Sequence, residues 1–289
     1  MNSMHNTPIY WDSEDRIARG ITRIAIRALY FEVKAYPKPG LVSFIDSGAH
    51  RDMNGETFYR SLFTLRHYFY DIAVQGLAHR SYDDLRRIGV EAERRMLHKT
   101  AGINTHRGAI FALGVLAVSV SRLIKEKRHF APHDLYQQLI KDWRVILQHH
   151  QTEQSSHGAI VRQNHQVVDA KQMARDGYAV VFHLLTSFLA LYQQTLCLDK
   201  SCLFAYLQLL SAVDDTNVLY RKGTAGLLFA RQKAQEILAI ECLDTRQQQA
   251  MELHMLFSRE GISPGGVADL ISVLLFIGQL FCEPLLCHY

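Results

Sequence analysis

Apolar residues recur along most of this chain at steps of three and four, which is the period of one face of an α-helix. The first stripe consists of Ile17, Ile21, Ile24, Ala28 and Phe31. It predicts an amphipathic helix that begins after Asp12 or Ser13 as the N-cap residue. The helix must end before Pro37, because proline lacks the amide proton that a helix interior needs.

The same spacing predicts helices further along the chain. Two more stripes are formed by Phe58, Leu62, Leu65, Phe69 and Ile72, and by Leu85, Ile88, Ala92 and Met96. Further helices are expected over residues 134–149, 201–213, 225–240 and 246–258. Strict alternation of apolar and polar residues, the pattern of a half-buried strand, hardly occurs.

Three runs, residues 109–120, 178–191 and 270–282, are mostly apolar. Each is shorter than the roughly 20 residues needed to cross a bilayer, so they predict central helices of a core rather than membrane spans. The pattern as a whole predicts an all-α fold, with a single globular multi-helix domain and buried apolar central helices. Prolines and glycines gather in short loops, so this domain is expected to cover residues 1–289, with residues 1–12 as a loose N-terminal segment.

Charge and cysteine content narrow the function classes. The 32 lysines and arginines are interspersed with 28 acidic residues, for a formal net charge of +4. Without an arginine-rich arm, zinc-finger spacing or an aromatic RNA-binding signature, we expect a polyanionic small molecule rather than nucleic acid as the partner. Five cysteines without a C-x-x-C pair predict reduced thiols, and the N-terminus has no apolar signal core, so we expect a cytoplasmic protein.

Four polar, glycine-bearing segments each lie beside a long apolar helix. Binding and catalytic residues often lie on loops that rigid helices hold in position. We call them segment 1 (residues 36–53), segment 2 (100–108), segment 3 (214–226) and segment 4 (261–269). No fixed-period repeat links them, which excludes a solenoid.

Segment 1 offers phosphate contacts. Two prolines stiffen it and Gly40 allows a turn that would hold Lys38 outward, toward a phosphate. His50, Arg51 and Asp52 then place two possible phosphate contacts next to a possible metal carboxylate. The alternative is an ordinary helix-terminating turn with a solvated lysine.

Segment 2 runs directly into an apolar helix. Asn104 or Thr105 can cap this helix, and its exposed N–H groups, with His106 and Arg107, would form an anion site. The alternative is a capped helix with an incidental basic residue.

Segment 3 combines a carboxylate, an amide and a guanidinium. If a helix continues through it, Asp214, Asn217 and Arg221 share one face and would resemble a metal–nucleotide site. The alternative is a helix end with solvated acids.

Segment 4 begins with a helix-start signal. Ser263 would be the N-cap, a proline the first helical residue, and Gly265 and Gly266 would let a ligand approach the bare backbone. Asp269 follows in the second turn.

Other motifs are weaker or missing. His149, His150 and His157 are possible zinc ligands, but no H-E-x-x-H or matched Cys/His set accompanies them, so structural roles are favoured for His149 and His150. The chain has no P-loop, no dinucleotide-binding glycine motif and no serine nucleophile elbow.

Taken together, the chain resembles the triphosphoribosyl-dephospho-CoA synthase family over about residues 15–280. The resemblance is carried by five motifs in the family's order: "EVKAYPKPGLVS", "SGAHRDM", "TAGINTHRGAIFALG", "DDTNVLYRKGTAGL" and "SPGGVADL". The family has a citrate lyase branch and a malonate decarboxylase branch. "SLFTLRHYF", "NTHRGAIFALG" and "SSHG" resemble the malonate decarboxylase branch more closely.

The resemblance implies an all-helical transferase that joins Mg²⁺-bound ATP, through the ribose, to the 2'-hydroxyl of 3'-dephospho-CoA and releases adenine. Another enzyme, a holo-synthase, would pass the product to an acyl carrier protein. An oligomer is possible.

The chemistry implied by the resemblance assigns roles to the candidate residues. Mg²⁺ would be held by carboxylates among Asp52, Asp214, Asp215 and Asp269. The triphosphate charge would be neutralised by Lys38, His50, Arg51, Arg107 and Arg221. The proton of the attacking hydroxyl would be taken by Glu32 or Asp215.

The chain departs from the family pattern at two places. Lys222 occupies a position where a second glycine is common, and "VVDAKQMARDGY" replaces a Gly-Ala-Arg run with a following glutamate. Met173 lies near the place of this acid, so either the acid is dispensable or Asp169 or Asp176 replaces it.

Two other function classes stay open. A metal-dependent nucleotide or ADP-ribosyl hydrolase would use the same acids with water as the acceptor. A non-catalytic helical scaffold would need none of them.

Overall fold

The apolar stripes form helices in the computed structural model, which describes residues 13–127, 129–149 and 167–282. The helices of these residues are α1 (Glu14–Lys34), α2 (Gly55–Leu77), α3 (Tyr82–Lys99), α4 (Arg107–Glu126), α5 (Pro132–His149), α6 (Ala170–Arg175), α7 (Ala179–Thr195), α8 (Leu198–Ala212), α9 (Thr216–Leu238), α10 (Leu243–Glu260) and α11 (Gly265–Phe281). The same residues contain no strand, so the prediction of an all-α fold is confirmed. The N-terminal segment 1–12 and the candidate ligands His150 and His157 lie outside the described residues.

Helix ends follow the predicted signals at α1 but not at α9. Ser13 caps α1, since its Oγ accepts a hydrogen bond from the amide of Arg16. Helix α9 begins at Thr216, well before the predicted residue 225, and is interrupted at Gly223, whose φ of 64° is left-handed. The sequence pattern missed the first two turns of α9 because the kink at Gly223 separates Val218 and Leu219 from the apolar stripe that follows.

Helices α4 and α11 form the centre of the core. Helix α11 packs against α1, α4, α7 and α8, and α4 packs against α1, α2 and α5 as well. Among the described helices, α4 alone is long and apolar enough to cross a membrane by length and composition, which the shorter predicted run did not indicate. However, 72% of the apolar 18-residue stretch of α4 is buried inside the protein, as in a core helix.

The four polar segments all lie at helix N-termini. Segments 1, 2 and 4 lead into α2, α4 and α11, and segment 3 contains the start of α9. Helix N-termini carry unpaired N–H groups and partial positive charge, which favour anions. The fold therefore groups its polar motifs at ends of helices that suit a negatively charged ligand.

Candidate active site

Direct contacts join the four segments to one another. His50 Nε2 of segment 1 lies 2.8 Å from Ser263 Oγ of segment 4. Asp215 Oδ2 of segment 3 accepts a hydrogen bond from Val267 N, at 2.8 Å. Asp269 of segment 4 packs against the backbone of segment 2, where a Cβ on Gly108 would lie only 1.9 Å from a carboxylate oxygen. Segments that are far apart in the sequence thus form one polar region.

A cavity of about 460 Å³ opens in this region, between the starts of α4, α9 and α11 and the helices α3 and α6. The predicted site residues that line it are Asn104, Arg107, Asp214, Asp215, Asn217, Gly266 and Asp269. The predicted site residues outside its lining are Glu32, Lys38, His50, Arg51, Asp52, His106, Arg221, Ser263 and Gly265. The sequence motifs therefore include one wall of the cavity together with residues that lie in the core or on the surface.

Asp215 joins two helix starts. As the N-cap of α9, its Oδ1 accepts hydrogen bonds from Asn217 N and Val218 N at 2.9 and 3.0 Å. Its Oδ2 accepts from Val267 N in the first turn of α11. Burial raises the pKa of Asp215 to about 6, although the backbone hydrogen bonds oppose this shift. Asp215 thus holds the cavity wall together and titrates near neutral pH.

Asp214 precedes α9, so the predicted helical face of Asp214, Asn217 and Arg221 does not form.

Asp269 is a buried carboxyl group at the start of α4. It accepts a hydrogen bond from Ala109 N in the first turn of α4. Burial, together with the negative charges of Glu32 and Asp215, raises the pKa of Asp269 well above its usual value. A carboxyl group with these neighbours holds a proton readily, and a cation placed beside it would stabilise its ionised form. Gly108 is required here, because any side chain would occupy the space of this carboxyl group.

Lys38 does not face solvent, contrary to the sequence prediction. Its side chain is 1% exposed, and Nζ lies 3.6 Å from Glu32 Oε1 and 2.7 Å from Ala35 O, to which it donates. Burial raises the pKa of Glu32, while the Lys38 ammonium group opposes this shift. The turn at Gly40 packs the segment inward, against the backbone of Ile262, and this carries Lys38 into the core. Lys38 and Glu32 therefore form a buried pair beneath the cavity.

His106 is also buried, so it does not contribute to the anion site that was predicted with Arg107 and the N–H groups of the helix. Its Nδ1 forms a hydrogen bond of 2.7 Å with Ser61 Oγ, and its ring packs edge-on against Phe58. Burial lowers the pKa of His106 to about 3, which keeps the ring neutral. The N-cap of α4 is His106 rather than Asn104 or Thr105, although Asn104 Oδ1 accepts a hydrogen bond from Arg107 N, the first residue of the helix.

Arg107 and Asp214 each have a partner of opposite charge at the cavity. Arg107 Nε lies 2.6 Å from Glu93 Oε1, with 40% of the arginine side chain exposed. Arg231 donates to Asp214 Oδ1 at 2.7 Å, and both side chains are partly exposed. Ion pairs that are exposed to solvent are weak. A polyanion can therefore compete with Glu93 for Arg107, and a cation can compete with Arg231 for Asp214.

The remaining candidates of segment 1 lie on the surface beside the cavity. Arg51 and Asp52 are exposed, and Asp52 Oδ1 lies 3.4 Å from His50 Nδ1. Arg221 Nη2 lies 3.5 Å from the same ring nitrogen of His50. Burial and the charge of Arg221 lower the pKa of His50, against the smaller opposing effect of Asp52. The structure thus does not bring Asp52 together with Asp214 and Asp269.

The start of α11 differs from its prediction. The N-cap is Pro264 rather than Ser263, whose hydroxyl contacts His50 instead. A Cβ on Gly265 would lie 2.8 Å from the Asn217 amide nitrogen, and one on Gly266 would lie 3.0 Å from Asp215 Oδ2. The space that these glycines leave is thus occupied by protein side chains.

Sequence reasoning missed several groups of the site. Four that line the cavity are Glu93, Lys171, Met173 and Tyr178. A fifth, His254, orders segment 1 through contacts with Gly40 N and Asp46 Oδ1. Lys171, Met173 and Tyr178 lie in "VVDAKQMARDGY", which was noted only for its departure from the family pattern, and the charged stripe of α3 gave the only signal for Glu93.

Helix α6 clarifies the departure from the family pattern. Met173 lines the cavity, whereas Asp169 caps α6 through the amide of Gln172, and Asp176 is exposed and accepts from the Gln172 side chain. Neither aspartate lines the cavity, so the structure does not support either one as a substitute for the missing acid.

No group of three or more His, Cys, Asp or Glu side chains able to hold a metal ion occurs in the described parts of the chain. Mg²⁺, however, commonly binds one or two protein carboxylates together with phosphate oxygens of its ligand. Asp214 and Asp269 line one cavity and fit this pattern, with a nucleotide supplying the remaining ligands.

Comparison with known proteins identifies the family of this chain. A relative from Acinetobacter calcoaceticus, named probable 2-(5''-triphosphoribosyl)-3'-dephosphocoenzyme-A synthase, is 31% identical over 258 residues, which cover 88% of each chain. Protein CitXG of Haemophilus influenzae is 31% identical over 269 residues, which cover 86% of this chain and 57% of that protein. No solved structure shows a significant match. The family model for ATP:dephospho-CoA triphosphoribosyl transferase matches residues 18–284, and the chain therefore belongs to this CitG family.

Proposed function

We propose that this protein joins the ribose of ATP to the 2'-hydroxyl of 3'-dephospho-CoA, forming 2'-(5''-triphosphoribosyl)-3'-dephospho-CoA and releasing adenine. The observation that carries the proposal is the cavity at the meeting of three helix N-termini, lined by Asp214, Asp215 and Asp269 and by Arg107. Its position within the family's motifs and the name of the Acinetobacter relative support the same reaction.

The two ends of the cavity suit different parts of the substrates. Near the start of α4, the partly exposed guanidinium group of Arg107 favours phosphate. Toward α3 and the middle of α4, the lining becomes apolar, with Val115, Val118 and Trp143. An apolar wall of this kind can accept an uncharged arm or a base of a nucleotide.

Mg²⁺ carried by the triphosphate would be held by Asp214 and Asp269, where it would offset phosphate charge. Of the two predicted bases, Asp215 lines the cavity and has a pKa of about 6, whereas Glu32 is buried beside Lys38. A base is most effective when its pKa lies near the working pH. These observations favour Asp215 over Glu32 for accepting the proton of the attacking hydroxyl.

We further propose that the product is the prosthetic-group precursor of malonate decarboxylase and is passed by a holo-synthase to the acyl carrier protein. The support is the closer likeness of "SLFTLRHYF" and "NTHRGAIFALG" to that branch. Citrate lyase is the alternative. Loading of the product onto each of the two carrier proteins, measured by intact mass, would discriminate between them.

Adenine release should require both 3'-dephospho-CoA and a divalent metal. The test is to incubate the protein with Mg²⁺ and ATP, with and without acceptor, and to measure adenine and the coupled product by mass spectrometry. Complete CoA carries a phosphate next to the attacking hydroxyl and should be a poor acceptor. Equal adenine release without any acceptor would instead assign the protein to the nucleotide hydrolases.

Replacing Arg107 with alanine should weaken ATP binding, because this guanidinium group lines the cavity at the start of α4. A charge-assisted hydrogen bond contributes about 1.5–3 kcal/mol, so the dissociation constant should rise roughly ten- to a hundredfold. Titration calorimetry measures the change. Arg51→Ala is the matched control, since Arg51 is exposed and does not line the cavity. Equal losses in the two variants would place the triphosphate outside the cavity.

A further inference from the structure

Tyr178 presents a buried hydroxyl group without a protein partner. The side chain lines the cavity and is 2% exposed. Its phenol oxygen has no hydrogen-bond partner among the residues that the structure describes. Buried polar groups are normally paired, and an unpaired one lowers stability. A donor that is unpaired on a residue lining a cavity is available to a ligand bound in that cavity.

The backbone around Tyr178 holds this side chain in place. Gly177 and Tyr178 are both left-handed, with φ of 63° and 55°. This conformation is unfavourable for a tyrosine, which has a Cβ, and persists where surrounding structure enforces it. The hydrogen bond from Tyr178 N to Met173 O, at 2.8 Å, fixes the residue against α6. The ring is thus oriented before any ligand arrives.

The surroundings of the phenol favour a nucleobase over a phosphate. Asp269 and Tyr68 lie close enough to interact electrostatically with Tyr178, and no cationic side chain has such an effect on it. Burial raises the pKa of Tyr178, so its hydroxyl remains a neutral donor. A purine is uncharged, and it offers ring nitrogens that accept hydrogen bonds and a flat face for the aromatic and apolar walls, so it suits a neutral donor that has no cationic side chain beside it.

We propose that the Tyr178 hydroxyl donates a hydrogen bond to a ring nitrogen of the adenine of ATP and stabilises this base as it leaves. The inference rests on the proposed function. In that reaction the C1'–N9 bond breaks with its electron pair going to adenine, and the acceptor oxygen forms a bond to C1'. The acceptor hydroxyl loses one proton and adenine gains one. A donor at a ring nitrogen stabilises the negative charge that develops on the base.

The test combines Tyr178→Phe with the 1-deaza, 3-deaza and 7-deaza analogues of ATP, each of which replaces one ring nitrogen by C–H. Turnover of the wild-type protein should fall about tenfold with one of these analogues. The Tyr178→Phe variant should be about tenfold slower with ATP and should show no further loss with that same analogue. If every analogue slows the variant as much as it slows the wild type, the hydrogen bond does not exist.

Stability measurements separate this role from a structural one. Because the Tyr178 hydroxyl has no protein partner, Tyr178→Phe should have an unchanged or higher thermal midpoint. Tyr68→Phe is the matched control: Tyr68 lines the same cavity, but its hydroxyl donates to Ile110 O at 2.8 Å, so its midpoint should fall while the analogue effect persists. A clear fall in the midpoint of Tyr178→Phe would show that a protein group pairs with the phenol and would overturn the inference. Absence of adenine release by the wild-type protein would instead refute the proposed function itself.

Discussion

Replacing Asp269 with asparagine should leave a folded protein whose turnover is at least about a hundredfold lower. Asparagine keeps the shape and can still accept the hydrogen bond from Ala109 N, so the start of α4 should remain intact. Asparagine cannot ionise, however, and a metal–triphosphate ligand would bind the ionised form of Asp269. Thermal midpoint, turnover and the Mg²⁺ concentration for half-maximal rate should be measured together, and the Mg²⁺ requirement should rise.

Asp52→Asn is the control for Asp269→Asn. Both aspartates fit a metal site by sequence, but Asp52 is exposed and outside the cavity lining, with His50 as its neighbour. Its replacement should leave turnover and the Mg²⁺ requirement near normal. If Asp52→Asn lost activity and Asp269→Asn kept it, the reaction would have to take place on the surface of segment 1 rather than in the cavity.

Lys38→Met should lower the free energy of unfolding by about 3–5 kcal/mol, the usual effect of removing one partner of a buried ion pair. Glu32 would remain in the core without its cation, near the carboxyl group of Asp269. Denaturant unfolding followed by circular dichroism measures this loss. The result would differ from that expected for a solvated lysine that binds phosphate, whose removal should change stability by less than about 0.5 kcal/mol.

Removing both charges provides the control for Lys38→Met. The double variant Glu32→Leu/Lys38→Met leaves no buried charge at this pair and should regain much of the lost stability. A single variant as stable as the wild type, but with weakened ATP binding, would contradict the buried pair and restore the view of Lys38 as a ligand contact.

Helix positions could largely be predicted from sequence because apolar spacing records which face of a helix is buried. The stripe from Ile17 to Phe31 became α1, and the apolar runs became parts of α4, α7 and α11. The start of α9 was missed because Asp215 begins this helix through backbone hydrogen bonds, and no apolar stripe marks such a start.

The site was only partly predictable, since motifs identify polar residues but not the direction in which they point. Asp269 and Arg107 line the cavity as their motifs suggested, while Lys38 and His106 are equally polar and lie in the core. Tyr178 was predicted only as the start of an apolar run, because its left-handed backbone and its unpaired hydroxyl exist only in the folded chain.

The hydrogen bond between His50 and Ser263 joins positions that are 213 residues apart in the chain. Contacts of such long range form slowly, since the entropy of closing the intervening loop must be lost before the contact can stabilise anything. During synthesis from the N-terminus, α1 to α5 can pack while segment 4 is still absent, but segment 1 and segment 2 then lack the residues that order them. A ribosome-bound chain can therefore complete neither the centre of its core nor the cavity until α11 has emerged.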